Sequence, residues 1–214
     1  MISKRGIDSS LFFMNKPDAL IFDLSEVIIR GLVGIENEVA KKAEIPSDDI
    51  LKKFGGQNLE KLCRGNISEK EYLRKIITEY HWNITLTLLQ NIIRKNFHHI
   101  IENMDRLLYR LSEKNNLSLM SDHAREWIEY IFEQHEFLDC FTTKIFSYDT
   151  SFLKHEPESF TYIIQKYEIN PEKCIFIDDN PANIRTAQKI GFRAIHFQSQ
   201  AQLTKELTEQ GIEL

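Results

Sequence analysis

Cysteine is scarce. The chain of 214 residues has three, Cys63, Cys140 and Cys174, far apart and without CxxC spacing. An odd, scattered set argues against a disulfide framework, so a reducing, cytoplasmic location is expected. Long apolar runs are missing too. The longest fall well short of a membrane span, and no membrane association is expected. No basic block stands out, and the formal net charge is -5. The electrostatic footprint of a nucleic-acid partner is therefore absent. No repeat or low-complexity tract interrupts the chain, and no feature sets an oligomeric state. What is present is an ordinary globular composition, 42% hydrophobic and 28% charged. That suffices for one large domain, or for a core with a sizeable insert.

Near the start, Leu11-Phe12-Phe13-Met14 forms a short apolar patch after Lys4 and Arg5. It is too short for a signal-peptide core, and no small-residue cleavage site follows. Residues 1–16 are expected to be a leader that packs on the body or frays.

The chain is organised around Ala19-Leu20-Ile21-Phe22-Asp23-Leu24-Ser25-Glu26-Val27. An apolar run leading into one acid reads as a strand buried on both faces. Ligands of open α/β sheets bind beyond the carboxyl ends of such strands. Residues 35–97 follow with helical patterning and no convincing strand. Ser68-x-x-Glu71 reads as a capping box, and Leu73, Ile76, Ile77 and Tyr80 form an apolar stripe behind it. From residue 101 onward helices alternate with short strands. Strands are expected at 117–120, 144–147, 174–177 and 193–197, with a loop over 148–156. This alternation predicts an α/β protein: a Rossmann-like, three-layer parallel sheet covered on both faces, with a small α-helical insert. The expected division is a core of residues 1–31 and 98–214 and a helical cap of residues 32–97.

Asp23, Ser121, Lys154 and the pair Asp178-Asp179 each fall at, or shortly after, the carboxyl end of a strand. In a parallel sheet those ends share one edge, so four distant positions converge on one crevice. An aspartate, a hydroxyl, a lysine and an acid pair suit phosphoryl transfer through an aspartyl-phosphate. The acids would gather Mg²⁺, a hard ion that prefers oxygen. Simpler readings exist for each part. Ser121-Asp122 could cap the helix beginning near Ala124, and Asn180-Pro181 reads as a helix start. Lys154 alone could be a solvated loop lysine. Arg64, Gln57 and Asn66 read as solvated helix-end residues rather than substrate contacts, and Trp82 and Trp127 as packing residues.

Four stretches resemble the motifs of the haloacid-dehalogenase-like (HAD) hydrolases. They are Phe22-Asp23-Leu24-Ser25-Glu26-Val27, Leu119-Met120-Ser121-Asp122, Lys154-His155-Glu156-Pro157, and Ile175-Phe176-Ile177-Asp178-Asp179-Asn180 with Asn183, Ala187 and Gly191. The resemblance covers almost the whole chain, and the fourth motif is its most specific part. The helical insert lies where many members carry a cap, and the branch is similar to bacterial sugar-1-phosphate phosphatases. The resemblance implies a hydrolase of small phosphorylated metabolites. Asp23 would be nucleophile and Mg²⁺ ligand, with the Ser25 backbone carbonyl, Asp178 and Asp179 as further ligands. Ser121 and Lys154 would bind phosphate. Asp122 and His123 could face the substrate.

Two positions depart from the pattern. Ser25 stands where most phosphatases of the family carry an acid/base aspartate, and His155 stands where proline is usual. Serine is a poor acid or base, and general acid–base catalysis is worth about 10²–10⁴-fold. Glu26 should point to the other side of the chain. The expected substrates are therefore esters with good leaving groups. The competing reading is a phosphate-binding protein with weak or no turnover. Metal-free dehalogenase chemistry is disfavoured by the acid pair. A phospho-receiver domain orders its acids and lysine the other way round and carries no lid.

Overall fold

A computed structural model describes residues 17–214. The apolar patch at residues 11–14 lies outside the described residues. The first strand, β1 (Ala19–Phe22), is followed by five helices: α1 (Glu36–Ala43), α2 (Ile50–Phe54), α3 (Gln57–Cys63), α4 (Glu69–Glu79) and α5 (Leu86–Phe97). Then come α6 (Met104–Ser112), β2 (Leu117–Ser121), α7 (Arg125–Gln134), β3 (Thr143–Phe146) and α8 (Ser147–Thr150). The chain closes with α9 (Pro157–Tyr167), β4 (Cys174–Asp178), α10 (Pro181–Ile190), β5 (Arg193–His196) and α11 (Gln200–Glu209).

Among the described residues five strands form one sheet in the order β3-β2-β1-β4-β5, and each of these pairings is parallel. This is the doubly covered α/β core that the alternation predicts. Side chains of a strand alternate between faces. Leu20 and Phe22 therefore pack with Leu107, Leu108, Ile128, Leu203 and Leu207 of α6, α7 and α11. Ile21 and Phe176 face the opposite way, toward Phe160 and Ile163 of α9 and Ala187 of α10. Both faces are dry, which is why the strands read as unbroken apolar runs.

The helices between β1 and β2 bury their apolar faces in a cluster continuous with that of the sheet. Val39, Tyr72, Leu73, Ile76, Ile93 and Phe97 belong to the same buried cluster as Leu20 and Phe22. Local differences from the sequence reading are small. The loop expected at 148–156 opens with the helical turn α8, because Ser147 Oγ donates to the Cys63 carbonyl (2.6 Å) and fixes the chain there. The capping box is half formed. Ser68 Oγ accepts from Glu71 N, but the Glu71 carboxylate pairs with Lys75.

Candidate active site

Phe22 is in register with Leu119 of β2 and Ile177 of β4. Asp23, Ser121 and Asp178 consequently emerge side by side at the carboxyl edge, and Asp23 N donates to the Ile177 carbonyl (2.8 Å). The loop after β3 brings Lys154 over the same edge. Its Nζ lies 2.5 Å from Asp23 Oδ1 and 2.7 Å from Asp178 Oδ2. The structure thus gathers Asp23, Ser121, Lys154, Asp178 and Asp179 as the topology argument requires.

The two oxygens of Asp23 differ. Oδ1 accepts from Leu24 N (2.7 Å) and from Lys154, and no described residue hydrogen-bonds Oδ2. Asp178 is fully buried. Its Oδ1 accepts from Asn180 N (2.8 Å), and Asn183 Nδ2 bridges both oxygens at 3.1 Å. Asn183 sits on the first turn of α10, where Pro181 starts the helix and Asn180 caps it through Ala182 N. The turn therefore aims the amide back at the strand end. Asp179 is half-buried, and its carbonyl meets His196 Nε2 (2.8 Å).

Burial pushes the Asp23 carboxyl well above its usual range. Lys154 opposes the rise and Asp178 adds to it. Asp179 is pushed up to about 6, by burial first and then by Asp178. Burial pulls Lys154 down, but Asp178 and Asp23 outweigh it and hold the ammonium above its ordinary range. Three carboxylates thus face one ammonium. Ligating oxygens of Asp23, Asp178 and Asp179 lie within 4.8 Å of one another. A hard, all-oxygen set of this size fits a divalent cation.

Ser121 and Asp122 do not cap α7. Ala124 occupies the N-cap position, and no side chain bonds there. Ser121 Oγ instead lies 2.9 Å from His123 Nδ1. Asp122 Oδ2 accepts from Lys154 N (2.9 Å), so this acid fixes the lysine loop. Ser25 Oγ lies 3.0 Å from His123 Nε2. Gly31 passes so close that a Cβ there would sit 2.6 Å from Ser25 Oγ. Glu26 turns away, as expected. Its φ is +59°, and its carboxylate accepts from Gly31 N and Arg30 Nη1, both at 2.8 Å. Arg64 is not a solvated helix end. It forms a two-pronged pair with Glu156 (2.6 and 2.9 Å) and reaches the Ser151 carbonyl. The reason is tertiary: Arg64, just past α3, lies against the loop that carries Lys154. Trp127 packs as expected, but it also donates Nε1 to Glu69 (2.9 Å). Sequence reasoning missed the roles of Asn183, Arg64 and Glu69. Only Asn183 left a signal, at the fifth position after Asp178.

A family model for haloacid dehalogenase-like hydrolases matches residues 17–191. The chain belongs to that family and is a hydrolase of the HAD type. A chloroplast flavin mononucleotide hydrolase of Arabidopsis thaliana is 36% identical over 59 residues, 28% of this chain and 24% of that protein's length. Among solved structures, a HAD-like hydrolase from Porphyromonas gingivalis superposes with a TM-score of 0.74 at 19% identity, covering 94% of this chain and all of the other. A HAD family enzyme from Bacteroides thetaiotaomicron, solved with magnesium and inorganic phosphate, gives 0.70 at 19% identity, covering 86% and 96%. At these identities the superpositions establish a shared fold. No described helix is long and apolar enough to cross a membrane.

Proposed function

We propose that this hydrolase is a Mg²⁺-dependent phosphatase of a small phosphorylated metabolite, with sugar phosphates the first class to test, acting through an aspartyl-phosphate on Asp23. The observation that carries the reading is the asymmetry of Asp23. One oxygen is anchored by Leu24 N and Lys154, and the other is left for in-line attack. Asp23, the Ser25 carbonyl, Asp178 and Asp179 would hold the ion. When bound, Mg²⁺ would offset repulsion between the carboxylate and the phosphate dianion. Lys154 and the Ser121 hydroxyl would bind the phosphoryl oxygens as charge redistributes. Asn183 keeps Asp178 in place, and Asp122 keeps the Lys154 loop in place.

Residues 32–97 would act as the cap over a core of residues 1–31 and 98–214. Site residues are nearly sealed: Ser121 is 1% exposed, Lys154 3% and Asp23 6%. Substrate entry then needs an opening where this segment meets the Lys154 loop, with the Arg64–Glu156 pair as one latch. The three unpaired cysteines suit a reducing, cytoplasmic setting.

The second reading, a phosphate-binding protein with little turnover, is favoured by one observation. Ser25 replaces an acid, and its hydroxyl is engaged by His123. Phosphate release from an aryl phosphate and a panel of sugar phosphates, with Mg²⁺ and with EDTA, separates the two. Metal-dependent release that vanishes in Asp23→Asn supports the phosphatase. No release across the panel, with inorganic phosphate still binding in Mg²⁺, supports the binding protein.

A further inference from the structure

We propose that His123 is a positioning residue that ties the Ser121 hydroxyl to the Ser25 hydroxyl, so that phosphate held by Ser121 fixes the direction of the Ser25 O–H bond. The proposal rests on the reading of Ser121 as a phosphate-binding group. Its basis is one unbroken chain of hydrogen bonds. Ser121 Oγ lies 2.9 Å from Nδ1, and Ser25 Oγ lies 3.0 Å from Nε2. The ring is 5% exposed and is held between Phe97 and Trp127, with centroids 6.2 and 6.0 Å away. Both ring nitrogens are used.

A neutral imidazole has one donor and one acceptor nitrogen. Both partners of this ring are uncharged hydroxyls and its flanks are Phe97 and Trp127, so no counter-charge holds an imidazolium there and the ring is neutral. Two tautomers are therefore open, and they are not equivalent. A phosphoryl oxygen only accepts, so the Ser121 O–H must point at it. Ser121 Oγ is then an acceptor toward His123, which requires the proton on Nδ1. Nε2 becomes the acceptor and draws the Ser25 O–H toward the ring. Ser25 is left presenting oxygen lone pairs. In this state Ser25 accepts a hydrogen bond from water and has no proton aimed at a leaving oxygen. The arrangement gives the serine a defined task in place of the acid role, and it matches substrates whose leaving groups need no proton. Gly31 serves the same end, because any side chain there would push Ser25 off the imidazole.

The test uses His123→Asn, His123→Gln, Ser25→Ala and Ser121→Ala in the full chain. An asparagine amide stands near Nδ1 and keeps the Ser121 link, and a glutamine amide stands near Nε2 and keeps the Ser25 link. Inorganic phosphate affinity in Mg²⁺ should survive in His123→Asn. It should fall about tenfold in His123→Gln, the worth of one hydrogen bond. With an aryl phosphate, His123→Asn and Ser25→Ala should each lower kcat about tenfold with little change in KM. Their double variant should be no worse than either, since both cut one bond. Additive losses, or an unchanged kcat in His123→Asn, overturn the proposal. Nitrogen-15 shifts of the His123 ring, without and with inorganic phosphate, give a readout that needs no turnover. Ser121→Ala should move Nδ1 and Ser25→Ala should move Nε2, with the proton on Nδ1 when phosphate is present. A ring that responds to only one serine, or that carries its proton on Nε2 in phosphate, refutes the link. A wild-type protein that releases no phosphate removes the phosphatase reading alone.

Discussion

Asp23→Asn should abolish turnover and make the metal-free protein more stable. At an effective dielectric of about 20, two like charges within 4.8 Å of each other repel by at least about 3.5 kcal/mol. Asp23 has two such neighbours, Asp178 and Asp179. The Lys154 ammonium, 2.5 Å from Oδ1, attracts by about 7 kcal/mol on the same basis. Attraction and repulsion therefore nearly cancel, and the cost of burying a carboxylate decides the balance. The raised pKa of Asp23 has the same leading cause. Asparagine removes the charge while its carbonyl can keep the bonds to Leu24 N and Lys154. Its amide takes the place of the oxygen proposed to react. The expected gain is about 2 kcal/mol in EDTA near neutral pH, a Tm rise of about 4–8 °C. Added Mg²⁺ should reverse the order, because an ion held by the wild type at 100 times its Kd contributes about 2.7 kcal/mol. Urea and thermal melts of both proteins, with EDTA and with Mg²⁺, read this directly. An asparagine variant less stable than wild type in EDTA would refute the electrostatic account, and one that still turns over would refute the nucleophile.

Other expectations follow from single contacts. Asp179 has a folded-state pKa of about 6, above the unfolded carboxylate value of about 3.9. Its contribution to metal-free stability is fully present below pH ~4 and lost as pH rises through about 6, so thermal melts in EDTA should show that loss. The stabilisation by Mg²⁺ should grow over the same window, since the ion competes with the proton. Glu69 is buried and accepts from Trp127 Nε1, Arg94 and Gln90 at 2.8–2.9 Å. Glu69→Ala strands a buried indole N–H and an arginine, and should lower the urea midpoint by the equivalent of about 3–5 kcal/mol at constant m. Gly31→Ala places a methyl 2.6 Å from Ser25 Oγ and should cost about 1–3 kcal/mol, with a fall in kcat. A kcat unchanged from wild type would separate Ser25 from the reaction.

Much of the site was legible because a parallel sheet makes it so. Strand ends share an edge, and each candidate closes an apolar run or lies just past one. Asp23, Ser121 and Asp178 could be placed together from register alone. Lys154 was legible only through its motif, since a loop residue has no periodicity to fix its direction. The hydrogen bonds of His123 left no trace in the sequence. A histidine two residues past Ser121 gives no sign that Ser25, 98 positions earlier, is its other partner. Arg64 read as solvated because its partner, Glu156, lies 92 residues away.

The sequence by itself determined the class of fold, the order of its elements and the identity of the acids at the sheet edge. Those follow from local apolar patterning and chain order. Only the tertiary structure decided what each polar side chain does there. It gave Asp23 one anchored and one open oxygen, made Asp122 a brace for the lysine loop, and joined Ser25 to Ser121 through His123. It also placed buried residues of the helices after β1 in a cluster continuous with that of the sheet. Hydrogen-bond direction and shared burial depend on groups far apart in the chain, and no pattern within a short window encodes them.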